Sequence, residues 1–386
     1  MNAFEFASAT RVLFGFGRAS AVPEWLRERG LRRVLLVTGR DGERARGMRS
    51  ALEALAIHVE GFSVAGEPRV EDARAGAEHC RACSIDAVLA FGGGGAIDAG
   101  KAIAALAANP GDVLDYLEVV GRGQPLERDP LPFVAVPTTA GTGAEVTRNA
   151  VLGSKKHGVK ASLRSPALLP RLAVVDPELL RTAPRPVLRA SGLDALSQLI
   201  EPFVSVRANP LSDALAREGI ARSTVSLKRA VLDTASDDDL ENLALASLFG
   251  GLCLTNSGLG AVHGFAAPIG GMFDAPHGAV CAALLPHVMR QNLRSLRARN
   301  PRGPGLARYT ELARLLTQRP DACAEDGAEW VAALTHDLEV PSLSSYGVAA
   351  AHIDELVKKA SRASSMKGNP LVLGADELET ILSSAL

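Results

Sequence analysis

The chain has 386 residues, with 42 lysines and arginines against 43 aspartates and glutamates and a formal net charge of -1. That length exceeds one compact core of ordinary size and falls short of three, so two domains are expected. Balanced charge without a long basic run excludes a nucleic-acid footprint and points to small molecules as partners. Cys80, Cys83, Cys253, Cys281 and Cys323 lack the paired spacing of a disulfide framework, which fits a reducing cytoplasm. Cys80 and Cys83 form C-x-x-C, but no second pair completes a zinc set, and they read as helix packing. The N-terminus, MNAFEFASATRVLFGFG, lacks a basic region followed by a long apolar core, so it is not a secretory signal. No apolar run reaches the roughly 18 residues that a membrane span needs. A soluble, cytoplasmic protein with no membrane partner is expected.

Taken in chain order, VLLVTG (Val34 to Gly39) reads as a strand and ERARGMRSALEALAI as the helix after it. HVEGFSV, the helix EDARAGAEHCRAC, the strand DAVLAFGGGG, the helix AIDAGKAIAALAANP and the strand FVAVPTT follow. Strands alternating with helices of this length argue for a parallel sheet covered by helices, because parallel crossovers need about a dozen residues. After LAVVDPELL (Leu172 to Leu180) the strand signal fades, and RTAPRPVLR (Arg181 to Arg189) marks a boundary. PVLRASGLDALSQLIEPFV, LSDALAREGIARSTVSLKRAVL and DDDLENLALASLFGGLCL carry helical periodicity. Asp237 to Asp239 suit a helix N-terminus, and RSLRARNPRGPGL reads as a solvated loop. The expected domains are therefore an α/β unit over residues 1–181 and a helical unit over 182–386.

Gly92, Gly93, Gly94 and Gly95 lie where the chain turns from strand into helix. Without side chains there, backbone N–H groups can approach a pyrophosphate at a helix N-terminus. A tight βα turn is the alternative, since neither standard glycine fingerprint is present. Asp98 suits hydrogen bonds from a sugar, a backbone or a substrate group. PTTAGTGAEVTRNAV places Thr138, Thr139 and Thr142 at what reads as another strand-to-helix turn, offering hydroxyls and free N–H groups to a nucleotide. In an open α/β sheet both turns would project from the carboxyl ends of strands, where ligands bind.

Asp194 and Gln198 share a helical face at i, i+4, while His263 and His277 flank a bend rich in glycine and proline. Two imidazoles and a carboxylate suit Zn²⁺ or Fe²⁺ better than Mg²⁺ or Ca²⁺. Such an ion polarises a carbonyl or stabilises an alkoxide while hydride leaves its carbon. The alternative is structural, with His263 capping a helix and His277 packed in a Pro-His-Gly turn. Gln198 is the weak member, because a neutral amide is a poor ligand.

GEPRVED, GGGGAIDAGKAIA, PTTAGTGAEVT, VVDPELL, GLDALSQLIEPFVS and AVHGFAAPIGGMFDAPHGAVCAALLPHVM together resemble the iron-containing (group III) alcohol dehydrogenase family across nearly the whole chain. The resemblance implies a dehydroquinate synthase-like fold: an N-terminal dinucleotide-binding α/β domain and an all-α C-terminal domain, with cofactor and metal in the cleft between them. It implies that Gly93, Gly94, Asp98, Thr138, Thr139 and Thr142 contact a nicotinamide nucleotide, with Lys160 nearby. Asp194, His263 and His277 match three positions of the family's metal site and are the expected catalytic residues. The family commonly has histidine where this chain has Gln198, so metal affinity should fall, and another where it has Ala267, which removes a proton carrier. Members preferring NAD often carry an acidic residue where this chain reads Gly39, followed by Arg40. No carboxylate repels a 2′-phosphate there, so NADP is admitted beside NAD.

Three readings of function stand. The first is an NAD(P)-dependent oxidoreductase that interconverts a small alcohol and its aldehyde or ketone, with Fe²⁺ or Zn²⁺ as Lewis acid and a homodimer or larger homo-oligomer as the assembly. The second is a metal-independent reductase of an acidic oxo compound, similar to maleylacetate reductase. The third is a nucleotide-binding protein whose catalytic site has decayed at Gln198 and Ala267.

Overall fold

The apolar runs of the first half become strands whose side chains alternate between two buried faces. In the computed structural model, which describes residues 3–232, 235–273 and 275–386, the strands are β1 (Val12–Phe14), β2 (Arg33–Thr38), β3 (His58–Ser63), β4 (Ala87–Gly92), β5 (Phe133–Pro137), β6 (Asn149–Ser154), β7 (Val159–Arg164) and β8 (Leu172–Val175). Six of them pair in parallel in the order β1-β8-β5-β4-β2-β3. Helices α1 (Val22–Glu28), α2 (Arg46–Ala54), α3 (Val70–Ala82), α4 (Gly94–Ala108) and α5 (Val113–Tyr116) accompany this sheet.

Val34, Leu36, Leu89, Phe91, Val134 and Val136 form one core with Trp25 and Leu26 of α1 and Met48 and Leu52 of α2. Leu35, Val37, Val88, Ala90, Phe133 and Ala135 form another with Ile97 and Ile103 of α4 and Cys80 of α3. The strict period of two, apolar on both faces, is what a sheet covered on each side requires. The chain runs from β2 outward to β3 and then returns to place β4 on the other side of β2. That reversal makes the carboxyl ends of β2 and β4 a topological switch point, the place where open α/β sheets bind ligands.

Ala7–Thr139 and Gly143–Ala183 form this compact unit; Ala140–Thr142 and Pro184–Leu386, with residues 3–6, form the second. The second unit contains α6 (Arg185–Val204), α7 (Pro210–Leu232), α8 (Asp237–Ser257), α9 (Ala261–Met272), α10 (His277–Arg299), α11 (Pro304–Thr317), α12 (Ala324–Asp337), α13 (Ile353–Ala360) and α14 (Ala375–Ala385). Every residue of α6 from Gly192 to Val204 is buried. A helix buried on all sides is a central one, and its polar residues Asp194, Gln198 and Glu201 must find partners inside the unit. Ser236 caps α8 and Asp239 returns the bond to the cap N–H, as the acidic run predicts.

Two expectations are corrected. The threonine turn after β5 does not lead into an α-helix: a single 3₁₀ turn (Ala144–Val146) follows Gly143, which sits at φ +57°, and the chain then forms the antiparallel β6–β7 hairpin. Alternating burial along Asn149–Ser154 outweighs the helical look of the preceding GAEVT. RSLRARNPRGPGL is mostly helix, since α10 runs to Arg299 and α11 begins at Pro304. Arg297 and Arg299 reach Glu325 and Glu377, which holds that end of α10 against its neighbours. Among the described residues no single helix is long and apolar enough to cross a membrane.

Candidate metal centre and nucleotide-binding turns

At the carboxyl ends of the strands, Thr138 donates its backbone N–H to the Gly92 carbonyl at 3.0 Å. A Cβ on Gly93 would lie 3.2 Å from Thr139 Oγ1, and one on Gly92 would lie 3.3 Å from the Gly39 backbone nitrogen. The α/β unit therefore brings Gly39, the glycine turn, Thr138 and Thr139 to one place, the switch point. Gly94 and Gly95 form the first turn of α4, with Gly93 as its cap. At Gly95 a Cβ would stand 2.4 Å from the Gly66 carbonyl oxygen, so packing alone already demands glycine there. Arg40, next along from Gly39, is exposed. Thr142 belongs to the helical unit.

Asp98 has a backbone partner: its Oδ2 accepts from Val151 N at 3.1 Å. Lys101 is buried and donates to Thr147 O at 2.8 Å, Thr147 Oγ1 at 2.7 Å and Asn149 O at 3.0 Å. It is thus a strut between α4 and the hairpin, and not a phosphate ligand. Burial pushes its ammonium down to about 8, and burial pushes the nearby Glu145 carboxyl up to about 7. Lys160 pairs with Glu67, next to the Gly66 that abuts Gly95.

In the helical unit, α6, α9 and α10 bring Asp194, His263, His277 and Cys281 together, with one donor atom from each within 4.8 Å of every other. His263 Nε2 lies 3.4 Å, and His277 Nε2 3.7 Å, from Asp194 Oδ1. Asp194 is 2% and His263 6% exposed, yet Asp194 Oδ1 and His263 Nε2 have no hydrogen-bond partner. Two facing buried polar atoms without partners are costly unless something polar joins them. A cation between them satisfies both, and the donors present, an anionic oxygen with imidazole nitrogens, are those that Zn²⁺ and Fe²⁺ accept. The residues fit a divalent metal.

The other ring nitrogen of His263 is held from behind. Glu201 Oε2 lies 2.7 Å from His263 Nδ1, and Glu201 Oε1 accepts from Val262 N at 2.7 Å. A carboxylate only accepts, so His263 carries a proton on Nδ1, and the neutral ring turns its Nε2 lone pair toward Asp194. Burial works against a charged His263, but Cys281, Asp194 and Glu201 outweigh it and raise the ring well above its ordinary value. At His277 the same balance of burial against Cys281 and Asp194 ends at about 9. Asp194 is lowered, its burial overcome by the two histidines.

Gln198 donates its Nε2 to Gly141 O at 3.2 Å. Among the described histidine, cysteine and carboxylate side chains the fourth close donor is Cys281, four residues beyond His277. Glu201, seven beyond Asp194 on the same helical face, is a further residue of the site, and i, i+7 spacing is the signal that finds it. Of the C-x-x-C pair, Cys80 packs in the sheet core and burial pushes its thiol up to about 12. Cys83 instead joins Glu60 and His79 in a half-buried group, whose carboxylate already meets His58 at 2.8 Å and His79 at 3.5 Å.

Comparison with known proteins agrees with this chemistry. The model of the iron-containing alcohol dehydrogenases matches residues 9–177, and the C-terminal model of the Fe-containing alcohol dehydrogenase family matches 189–386. The chain is 32% identical to 1,3-propanediol dehydrogenase of Citrobacter freundii over 394 residues, covering 99% of this chain and 98% of that one. A crystal structure of 1,3-propanediol oxidoreductase superimposes with a TM-score of 0.91 at 31% identity, covering 100% of both chains. Sulfoacetaldehyde reductase from Bifidobacterium kashiwanohense, in complex with NAD+, superimposes with a TM-score of 0.87 at 27% identity, covering 100% of this chain and 99% of that one. The chain belongs to the iron-containing alcohol dehydrogenase family and is an oxidoreductase of small alcohols and their carbonyl partners.

Proposed function

From its place in the iron-containing alcohol dehydrogenase family, we propose that this chain interconverts a small alcohol and its aldehyde or ketone, using Asp194, His263 and His277 to hold Fe²⁺ or Zn²⁺. The observation that carries the assignment is the pair of buried atoms Asp194 Oδ1 and His263 Nε2, which face each other at 3.4 Å without a hydrogen-bond partner. A bound divalent ion supplies Lewis acidity, polarising a carbonyl or easing loss of an alcohol proton. Glu201 presents the His263 lone pair, and α6 buries Asp194 where water does not compete for it. In the oxidative direction a bound nicotinamide nucleotide would take hydride from the substrate carbon, and the hydroxyl proton would leave to solvent. Ala267 offers no ionisable group to carry that proton, so a water chain or a ribose hydroxyl takes the role.

Gly92, Gly93, Gly94 and Gly95 are proposed to receive the pyrophosphate of NAD or NADP, with Gly39, Thr138, Thr139 and Thr142 as further contacts. The topological switch point supports this reading. Asp98 and Lys160, engaged with Val151 and Glu67, are proposed to brace the turn. Arg40 is proposed to admit a 2′-phosphate. Residues 1–181 would then be the nucleotide domain and 182–386 the metal and substrate domain, working as a homodimer or larger homo-oligomer. A panel of small alcohols and aldehydes with both nucleotides, followed by nicotinamide absorbance, tests the proposal. Turnover of at least one alcohol is expected, while nucleotide binding without turnover on any of them would overturn it.

A further inference from the structure

The residue where a fourth ligand is expected already commits its amide nitrogen to a backbone carbonyl. Gln198 gives the NH₂ end of its amide to the Gly141 carbonyl, and since a carbonyl only accepts, that end cannot be the oxygen. Yet the site does not lack a fourth donor. Cys281 is fully buried on α10, one helical turn beyond His277 and on the same helical face. Its sulfur lies 3.7 Å from His277 Nε2 and within 4.8 Å of the Asp194 and His263 donors.

We propose that Cys281 is the fourth protein ligand of the metal, replacing the side chain at 198, and that the resulting oxygen, two-nitrogen and sulfur set selects Zn²⁺ over Fe²⁺. The inference rests on the metal reading of Asp194, His263 and His277. Tetrahedral zinc, with bonds of about 2.0–2.1 Å to nitrogen and oxygen and about 2.3 Å to sulfur, separates neighbouring donors by about 3.3–3.6 Å. The observed separations of 3.4 Å for His263–Asp194, 3.7 Å for His277–Asp194 and 3.7 Å for His277–Cys281 are close to that spacing. Thiolate is also the softer donor and favours zinc at a four-coordinate site. On binding, the cysteine proton and any proton on the imidazole nitrogens facing the ion pass to solvent.

Four protein ligands close a tetrahedral shell. With four protein donors in place, substrate oxygen would have to join the ion as an additional ligand.

The test uses the full-length protein and Co²⁺ as a spectroscopic replacement for the native ion. Wild type is expected to bind cobalt with a near-ultraviolet sulfur-to-cobalt charge-transfer band. Cys281→Ser should lose that band and weaken zinc binding by more than about tenfold, a floor set by what loss of an outer partner alone costs. The double variant Cys281→Ser with Gln198→His should regain cobalt but not the band, which separates lost ligation from lost folding. Given equal Zn²⁺ and Fe²⁺, wild type should load zinc. Cobalt bound to wild type without the sulfur band overturns the thiolate and leaves the dehydrogenase reading standing. Failure to bind cobalt, zinc or iron, or unchanged cobalt affinity in Asp194→Ala, overturns the metal reading as well.

Discussion

Glu201 Oε2 stands 2.7 Å from His263 Nδ1, while its other oxygen takes the Val262 N–H. One buried carboxylate thus caps the start of α9 and chooses the tautomer of the histidine in that helix's first turn. Glu201→Gln keeps shape and volume but not this choice. The Val262 N–H only donates, so the amide oxygen of Gln must face it and the NH₂ group must face Nδ1. His263 would then carry its proton on Nε2, toward Asp194. Zinc affinity should fall about 10–100-fold with little change in fold, as measured by competition with a chelating dye. Unchanged affinity would mean that the ring is not oriented by Glu201.

Gly278 follows His277 at the start of α10, and a Cβ there would lie 2.3 Å from the Ala190 carbonyl oxygen and 3.2 Å from Asp194 Cβ. Backbone cannot yield as a flexible side chain does. Gly278→Ala should cost about 1–3 kcal/mol of stability through overpacking and push His277 away from Asp194, lowering metal content. Thermal denaturation and elemental analysis check both effects. A variant with parental Tm and full metal would show that α10 relaxes without moving its histidine.

Glu145 provides a pH dependence. Burial lifts its carboxyl from the ordinary 4.5 to about 7. The folded state therefore holds the proton more tightly than the unfolded state, so the stability it contributes is full below about 4.5 and is lost as pH rises through about 7. Lys101 runs oppositely: its folded value is depressed from 10.5 to about 8, so its contribution is present above 10.5 and is lost as pH falls through about 8. Urea unfolding of Glu145→Gln and wild type at pH 5 and pH 7 should show wild type losing ground at the higher pH. Parallel behaviour at the two pH values would contradict the burial argument.

Arg40 stands beside Gly39, whose nitrogen lies close to Gly92 at the switch point. Arg40→Asp replaces a cation with an anion where a 2′-phosphate would sit. Discrimination against NADP relative to NAD should rise about tenfold or more, equivalent to about 1.4 kcal/mol, in paired binding titrations. An unchanged ratio would remove Arg40 from cofactor choice.

The βα rhythm was legible because the central strands β2, β4 and β5 are apolar on both faces and helices link the strands from β1 to β5, so period and length agree. The β6–β7 hairpin was not, since its two strands carry lysine, serine and arginine and follow a threonine-glycine turn that reads as a helix start. Asp194, His263 and His277 announce themselves by residue type, and the structure brings them together. Cys281 does not, because a cysteine in an alanine-rich helix resembles packing until its spacing from His277 is considered. Glu201 was hidden for a related reason: buried glutamate and exposed glutamate look alike in a sequence, and only burial of the whole of α6 after Gly192 separates them.

The central claim, that Asp194, His263 and His277 serve catalysis through a bound divalent ion, is tested most directly by stripping and restoring that ion. Alcohol-dependent reduction of NAD or NADP should vanish as chelation removes metal and should return in proportion to the zinc or iron added back. Full turnover in protein shown by elemental analysis to be metal-free would contradict the account and favour charge neutralisation by basic side chains.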